Sequence, residues 1–113
     1  MEAVEYPLTI EQGSTFQKQF RWKVDGQVMN LTGYTAKMQL KKNYGGAVAF
    51  ELSTTNSRIL LGGAGGTVSL ELAPEETAGL PAGNYVYDLE LTNGGVVRKL
   101  IRGTVVVVPE ATI

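Results

Sequence analysis

The sequence contains no cysteine and no histidine in 113 residues. Without cysteine there is no disulfide, no thiolate nucleophile and no thiolate metal site, so stability rests on packing alone. Without histidine the commonest general base and metal ligand is missing. Nucleophilic catalysis would then need Ser or Thr with a Lys or carboxylate base, and no local motif supplies that arrangement. The expectation is a protein that is not an enzyme and carries no cofactor. A basic excess is also absent: ten basic and eleven acidic residues leave a formal net charge of -1. No field of that kind draws in nucleic acid. The pairs Lys41-Lys42 and Arg98-Lys99 are read as solvating a strand or hairpin end. No apolar run approaches membrane-spanning length, and Met1-Glu-Ala-Val-Glu5 carries acids where a secretion signal would carry basic residues. Synthesis in the cytoplasm is expected, with neither nucleic acid nor a membrane as partner.

What is present describes an ordinary folding chain. With 43% hydrophobic and 19% charged residues of both signs, the composition is that of a globular domain rather than a disordered tail. The length is near the commonest size for one core. One domain over residues 1–113 is expected, with 1–7 as an N-terminal arm.

Apolar residues alternate with polar ones from Leu8 onward, the signature of strands with one face on a core. Leu8 and Ile10 share a side. Phe16, Phe20, Trp22 and Val24 line one face of what reads as a single long strand, with Gln17, Gln19, Arg21 and Lys23 opposite. Asp25-Gly26 is the strongest hairpin signal, because tight reversals between twisted strands need positive φ. Tyr34, Ala36, Met38 and Leu40 form the next face, then Val48, Phe50 and Leu52 after the turn Asn43-Tyr-Gly-Gly46. Gly62-Gly-Ala-Gly-Gly66 reads as a flexible hairpin connection into Val68, Leu70 and Leu72. Pro74 to Leu80 alone reads as helical: Pro at a first helical position, Glu75 and Glu76 where the helix dipole favours acids, and Gly79 as a stop. Tyr85, Tyr87, Leu89 and Leu91 follow, then a turn at Asn93-Gly-Gly95 and a last strand from Val96 to Val108.

About seven to nine short strands with regularly spaced turns and one short helical turn predict an all-β, immunoglobulin-like antiparallel β-sandwich. Tyr85, at the start of a strand after a helical crossover, is placed as a structural tyrosine corner whose phenol bonds back to the connection it follows.

Other chemistry has bland readings. Glu71, Glu75, Glu76, Asp88 and Glu90 could in principle act as paired carboxylates, but fit helix-start electrostatics and solvated strand faces. Asp25-Gly26 is a turn rather than a calcium loop. The Gly62 to Gly66 stretch lacks the Lys-Ser/Thr and helix of a phosphate loop. Trp22, Tyr85 and Tyr87 share parity with core residues, which leaves Tyr44 as an exposed ring for the rival reading, a carbohydrate-binding module. Val105, Val106, Val107 and Val108 are apolar on both faces, so the terminal strand is expected at a sheet edge covered by another subunit. The contact residues expected from sequence are those four valines, Tyr6 in the arm, and Gly63 and Gly65 in a loop that orders against a neighbour.

The order of several blocks also resembles a known group: Leu8-Thr-Ile-Glu-Gln-Gly-Ser-Thr-Phe16, Trp22 with Asp25-Gly26, Asn30-Leu-Thr-Gly-Tyr-Thr-Ala-Lys-Met-Gln-Leu40, Gly83-Asn-Tyr-Val-Tyr-Asp-Leu-Glu-Leu91, and Arg102-Gly103 before the valine run and Pro109. It is similar to the small β-sandwich virion proteins of tailed bacteriophages, including the N-terminal domain of baseplate upper proteins. The resemblance spans about the whole chain, and Leu31-Thr-Gly-Tyr-Thr-Ala coupled to Tyr85-Val-Tyr-Asp-Leu is its most specific part. It implies a virion structural protein of the baseplate, tail or head surface, synthesised in the host cytoplasm, used in many copies, and partnered by other virion proteins and by itself in symmetric association.

Overall fold

The computed structural model describes residues 4–111. Its larger sheet is built from β1 (Val4–Glu5), β2 (Leu8–Glu11), β6 (Thr35–Lys41), β7 (Val48–Ser53), β10 (Gly83–Asn93) and β11 (Val96–Val108). The strands run in the order β1-β11-β10-β6-β7, and β2 also pairs with β11. The smaller sheet is β3 (Phe16–Arg21), β9 (Thr67–Leu72) and β8 (Ile59–Leu61), in the order β3-β9-β8. A two-stranded ribbon, β4 (Lys23–Val24) with β5 (Gln27–Val28), sits in the connection between the sheets.

The period-two pattern explains why the sheets face each other. Ala36, Met38 and Leu40 on β6, Tyr85, Tyr87, Leu89 and Leu91 on β10, and Val68, Leu70 and Leu72 on β9 are all buried, and they join one hydrophobic cluster. Their alternating neighbours face outward, so each sheet has one dry face. The strand orders β11-β10-β6-β7 and β3-β9-β8 match G-F-C-C′ and B-E-D of the immunoglobulin sandwich. The molecule is an all-β sandwich of that type. Both expected glycine turns are of the type that matches strand twist: Asp25 and Gly26 have φ of 51° and 77°, and Gly94 and Gly95 have 57° and 90°. The single α-helix among the described residues, α1 (Pro74–Ala78), carries the chain from β9 in one sheet to β10 in the other.

Four details depart from the sequence reading. The long strand from Phe16 to Val24 breaks at Trp22, whose amide donates to the Gly66 carbonyl and peels β4 away from β9. A register shift between Leu40 and Lys41 undoes the parity of β7, so Val48 is exposed while Leu52 is buried. The first two strands pair with β11 in parallel, in a sandwich otherwise paired antiparallel. Finally, β11 is not an edge over its valine run. Leu8, Thr9, Ile10 and Glu11 of β2 lie beside Val105, Val106, Val107 and Val108 on one side, and β10 covers the other.

Candidate interaction surfaces

From Val4 onward the N-terminal segment lies along β11 instead of reaching away from the sandwich, and residues 1–3 of the expected arm lie outside the described residues. The ladder is interrupted at Pro7, since proline has no amide to donate, but β1 and β2 run parallel to β11 in the same direction and register on either side of it. Tyr6, at this interruption, donates its amide to the Arg102 carbonyl on β11. Its own carbonyl accepts the Tyr87 hydroxyl from β10. The Tyr6 ring meets Phe20 of the opposite sheet edge-on, with centroids 5.1 Å apart, and the Lys18 ammonium lies 4.8 Å above it. One residue thus links both sheets. Burial raises the Tyr87 hydroxyl well above the usual tyrosine range, with the neighbouring Tyr6 adding to it, so it stays a neutral donor. Gly103 makes room for the Tyr6 backbone: a Cβ there would lie 2.6 Å from the Tyr6 carbonyl oxygen. Tyr6, placed at an assembly contact by the sequence, is committed to its own fold.

Lys18 explains why the long outer edge of β3 is protected. It pairs with Leu70 of β9 and shares its parity with Phe16 and Phe20, which pack on the core, so a charge points inward on an edge strand. That arrangement resists pairing with another chain.

The valine run splits by parity. Val105 and Val107 are 0% and 2% exposed and belong to the core, while Val106 and Val108 are 40% and 36% exposed on the outer face. The expected covering of this strand by another subunit is met by β2 of the same chain, because Leu8 and Ile10 fall in register with the two buried valines. The glycine loop is also occupied at home. Gly63 accepts the Leu31 amide at 2.8 Å, Gly66 accepts the Trp22 amide at 2.8 Å, and Gly63 to Gly65 forms a 3-10 turn. Gly63 is half-buried; Gly65 faces solvent with nothing within 4 Å of its Cβ position.

Tyr85 is buried, and its hydroxyl donates to the Pro81 carbonyl at 2.6 Å, four residues back in the connection. Beside this connection Glu76 accepts the Ala73 amide with one oxygen and the Arg58 Nε with the other. These two bonds hold its carboxyl below the usual glutamate range. Arg58 continues to the Glu51 carbonyl on β7 at 2.9 Å and lies over the Phe50 ring, tying α1 to the sheet edge.

The outer faces of the sheets differ in chemistry. On the larger one, strand register lines up Glu51, Gln39, Asp88, Arg102 and Glu5 in one row, and Lys37, Glu90 and Lys99 in the next. Lys99 contacts both Glu90 and Asp88, and the hydrogen bond to Glu90 raises its pKa. On the smaller sheet the rows are Gln17 with Glu71, and Gln19 with Ser69 and Leu60. The residues from Asn93 to Lys99 at the end of the β10–β11 hairpin are all exposed, including Val96 at 51% and Val97 at 53%.

No family model matches this sequence, and no curated protein matches it. A solved structure does. The chain is similar to an extracellular domain of the voltage-gated sodium channel beta4 subunit, from a study titled for parallel homodimer structures that explain its role in cell-cell adhesion. The TM-score is 0.53 at 12% identity, over 97% of this chain and 96% of that one. Likeness at this identity is likeness of fold.

Tyr44 is the aromatic ring that the fold leaves half open, at 52% exposure, whereas Trp22 is 4% exposed with its ring edge against Tyr34. The exposed ring of the rival sugar-binding reading is therefore Tyr44, without Trp22. Sequence reading missed the Tyr6 clasp, the inward Lys18 and the exposed Val96-Val97 pair. Lys18 was legible: it interrupts the apolar parity of Phe16 and Phe20.

Proposed function

We propose that this chain is a non-catalytic structural protein of a tailed-bacteriophage particle, joined to its neighbours through the exposed end of the β10–β11 hairpin. The observation that carries the contact is the pair Val96 and Val97, both more than half exposed beside a glycine turn, in a molecule whose other valine-rich segment is covered by its own β2. Exposed β-branched residues at a hairpin end are suited to docking against another strand or an apolar surface. The assignment to a phage particle rests on the sequence resemblance of Leu31 to Ala36 and Tyr85 to Leu89. Other virion proteins are the partners, and a second copy of the chain is among them, as in the parallel homodimers described for the channel domain. The protein would be made in the host cytoplasm and reside in the virion.

The test is a double variant, Val96→Asp with Val97→Asp. The variant should keep its circular dichroism spectrum and yet be missing from purified particles by mass spectrometry, while the unchanged protein is present. Incorporation of the folded double variant at the normal level would refute the contact. Absence of the unchanged protein from particles would refute the virion role.

A further inference from the structure

A small recess lies on the outer face of the larger sheet, below the turn between β6 and β7. Its volume is about 160 Å3, and Gln39, Lys41, Tyr44, Gly45, Val86 and Asp88 contribute to its lining. The turn fixes the ring. Gly46 donates its amide to the Asn43 carbonyl at 3.0 Å, and Gly45 at the third position has φ of 87°, the conformation a type II turn requires there. Tyr44 is thereby held at the second position over the sheet. The Arg102 guanidinium lies 5.2 Å from its ring centroid.

The polar groups around the ring converge with unused capacity. Gln39 donates its Nε2 to Glu51 at 2.8 Å, which leaves its side-chain carbonyl free to accept. Asp88 has one oxygen 3.5 Å from Lys99, and its other oxygen has no protein hydrogen bond among the described residues. Lys41 has no ion-pair partner among the described residues, and Val86 supplies an apolar floor. Donors and acceptors are therefore both available beside a half-exposed aromatic ring with the Arg102 guanidinium over one side.

We propose that this recess binds one neutral sugar ring of a glycan, stacked on Tyr44 with its hydroxyls bonded to Asp88, Gln39 and Lys41. The mixed charge selects the ligand class. A carboxylate or phosphate would meet Asp88, and a cation would meet Lys41 and Arg102, whereas a polyol uses the carboxylate as acceptor and the two cations as donors. The apolar face of a sugar ring fits an aromatic side chain that carries little conformational entropy. The size also selects: drug-sized ligands occupy pockets of about 300–1,000 Å3, so this recess suits one ring with the rest of a glycan in solvent. The proposal adds a ligand to the assembly role and is independent of the hairpin contact, which lies elsewhere on the chain.

Saturation-transfer NMR tests it directly. The full chain is mixed with a panel of neutral hexoses, pentoses, deoxyhexoses and N-acetylhexosamines at about 10 mM, above the ~1 mM dissociation constants at which binding is worth roughly 4 kcal/mol. Acetate and inorganic phosphate complete the panel. At least one neutral sugar should receive saturation, Tyr44→Ala should abolish it, and Asp88→Asn should weaken it at least several-fold, with both variants retaining the parent circular dichroism spectrum. Lack of transfer to every sugar, transfer that survives Tyr44→Ala, or binding of the anions in place of sugars would each overturn the proposal. If Tyr44→Ala failed to fold, Asp88→Asn and Gln39→Ala would decide it, and unchanged sugar binding in both would overturn it.

Discussion

The two ends of β11 are both valine-rich and have opposite fates. Val105 to Val108 lie between β2 and β10, so two of the four valines enter the core and two remain on the outer face. Val96 and Val97, beyond the stretch that β1 and β2 accompany, stay exposed. The lesson is that an apolar run reports the need for a cover without saying what supplies it. At the C-terminal end the cover is the chain's own second strand; at the hairpin end the valines are open to a neighbour. The change falls before Ile101, where pairing with β1 begins; Gly103 lies within the covered part, packed against the Tyr6 backbone.

The largest expected effect separates neighbours within the covered end. Val107→Asp places a charge in the core and should cost upward of about 4 kcal/mol, enough to unfold many domains of this size. Val106→Asp, one residue away on the outer face, should stay within about 1 kcal/mol of the parent in urea unfolding. Equal losses from the two would break the parity argument. A smaller effect is expected at Gly103. Gly103→Ala brings a Cβ within 2.6 Å of the Tyr6 carbonyl oxygen and should destabilise by about 1–3 kcal/mol, the usual range for overpacking. Hydrogen exchange should then quicken first at the Tyr6 amide, and unchanged protection there would remove the clasp from the account.

The smallest effect belongs to the open end. Lys99 is bonded to Glu90, and its raised pKa means that the charged form is favoured by folding. This stability is fully present below the unfolded lysine value near 10.5 and is lost as pH rises through the higher folded value. Lys99→Met should therefore cost at most about 1 kcal/mol at neutral pH, since the pair is half exposed, and the difference from the parent should shrink in strongly alkaline buffer. A difference that grows with pH would contradict the sign.

Much of the sandwich was legible before its coordinates. Alternation marked Met38, Leu40, Leu70, Leu89 and Leu91 as core, and Asp25-Gly26 and Gly94-Gly95 marked reversals, because strand parity and positive φ are properties of short stretches of chain. The break at Trp22 was less legible, since its cause is a hydrogen bond to Gly66, 44 positions away by the numbering of the two residues. The recess at Tyr44 shows the same division. An exposed ring in a turn could be read from Asn43-Tyr-Gly-Gly46, but Asp88 came beneath it only through pairing of β10 with β6.

By itself the sequence determined the class of structure and its limits: period-two alternation for an all-β sandwich, and no histidine or cysteine to support their chemistry. Tertiary structure decided which surfaces remain for partners. Parallel pairing of β2 with β11 covered one valine run, and pairing of β1 and Tyr6 with β11 held the chain from Val4 onward on the same edge. Both depend on segments about a hundred residues apart coming into register, and no local pattern encodes which distant segment will occupy a strand's open side.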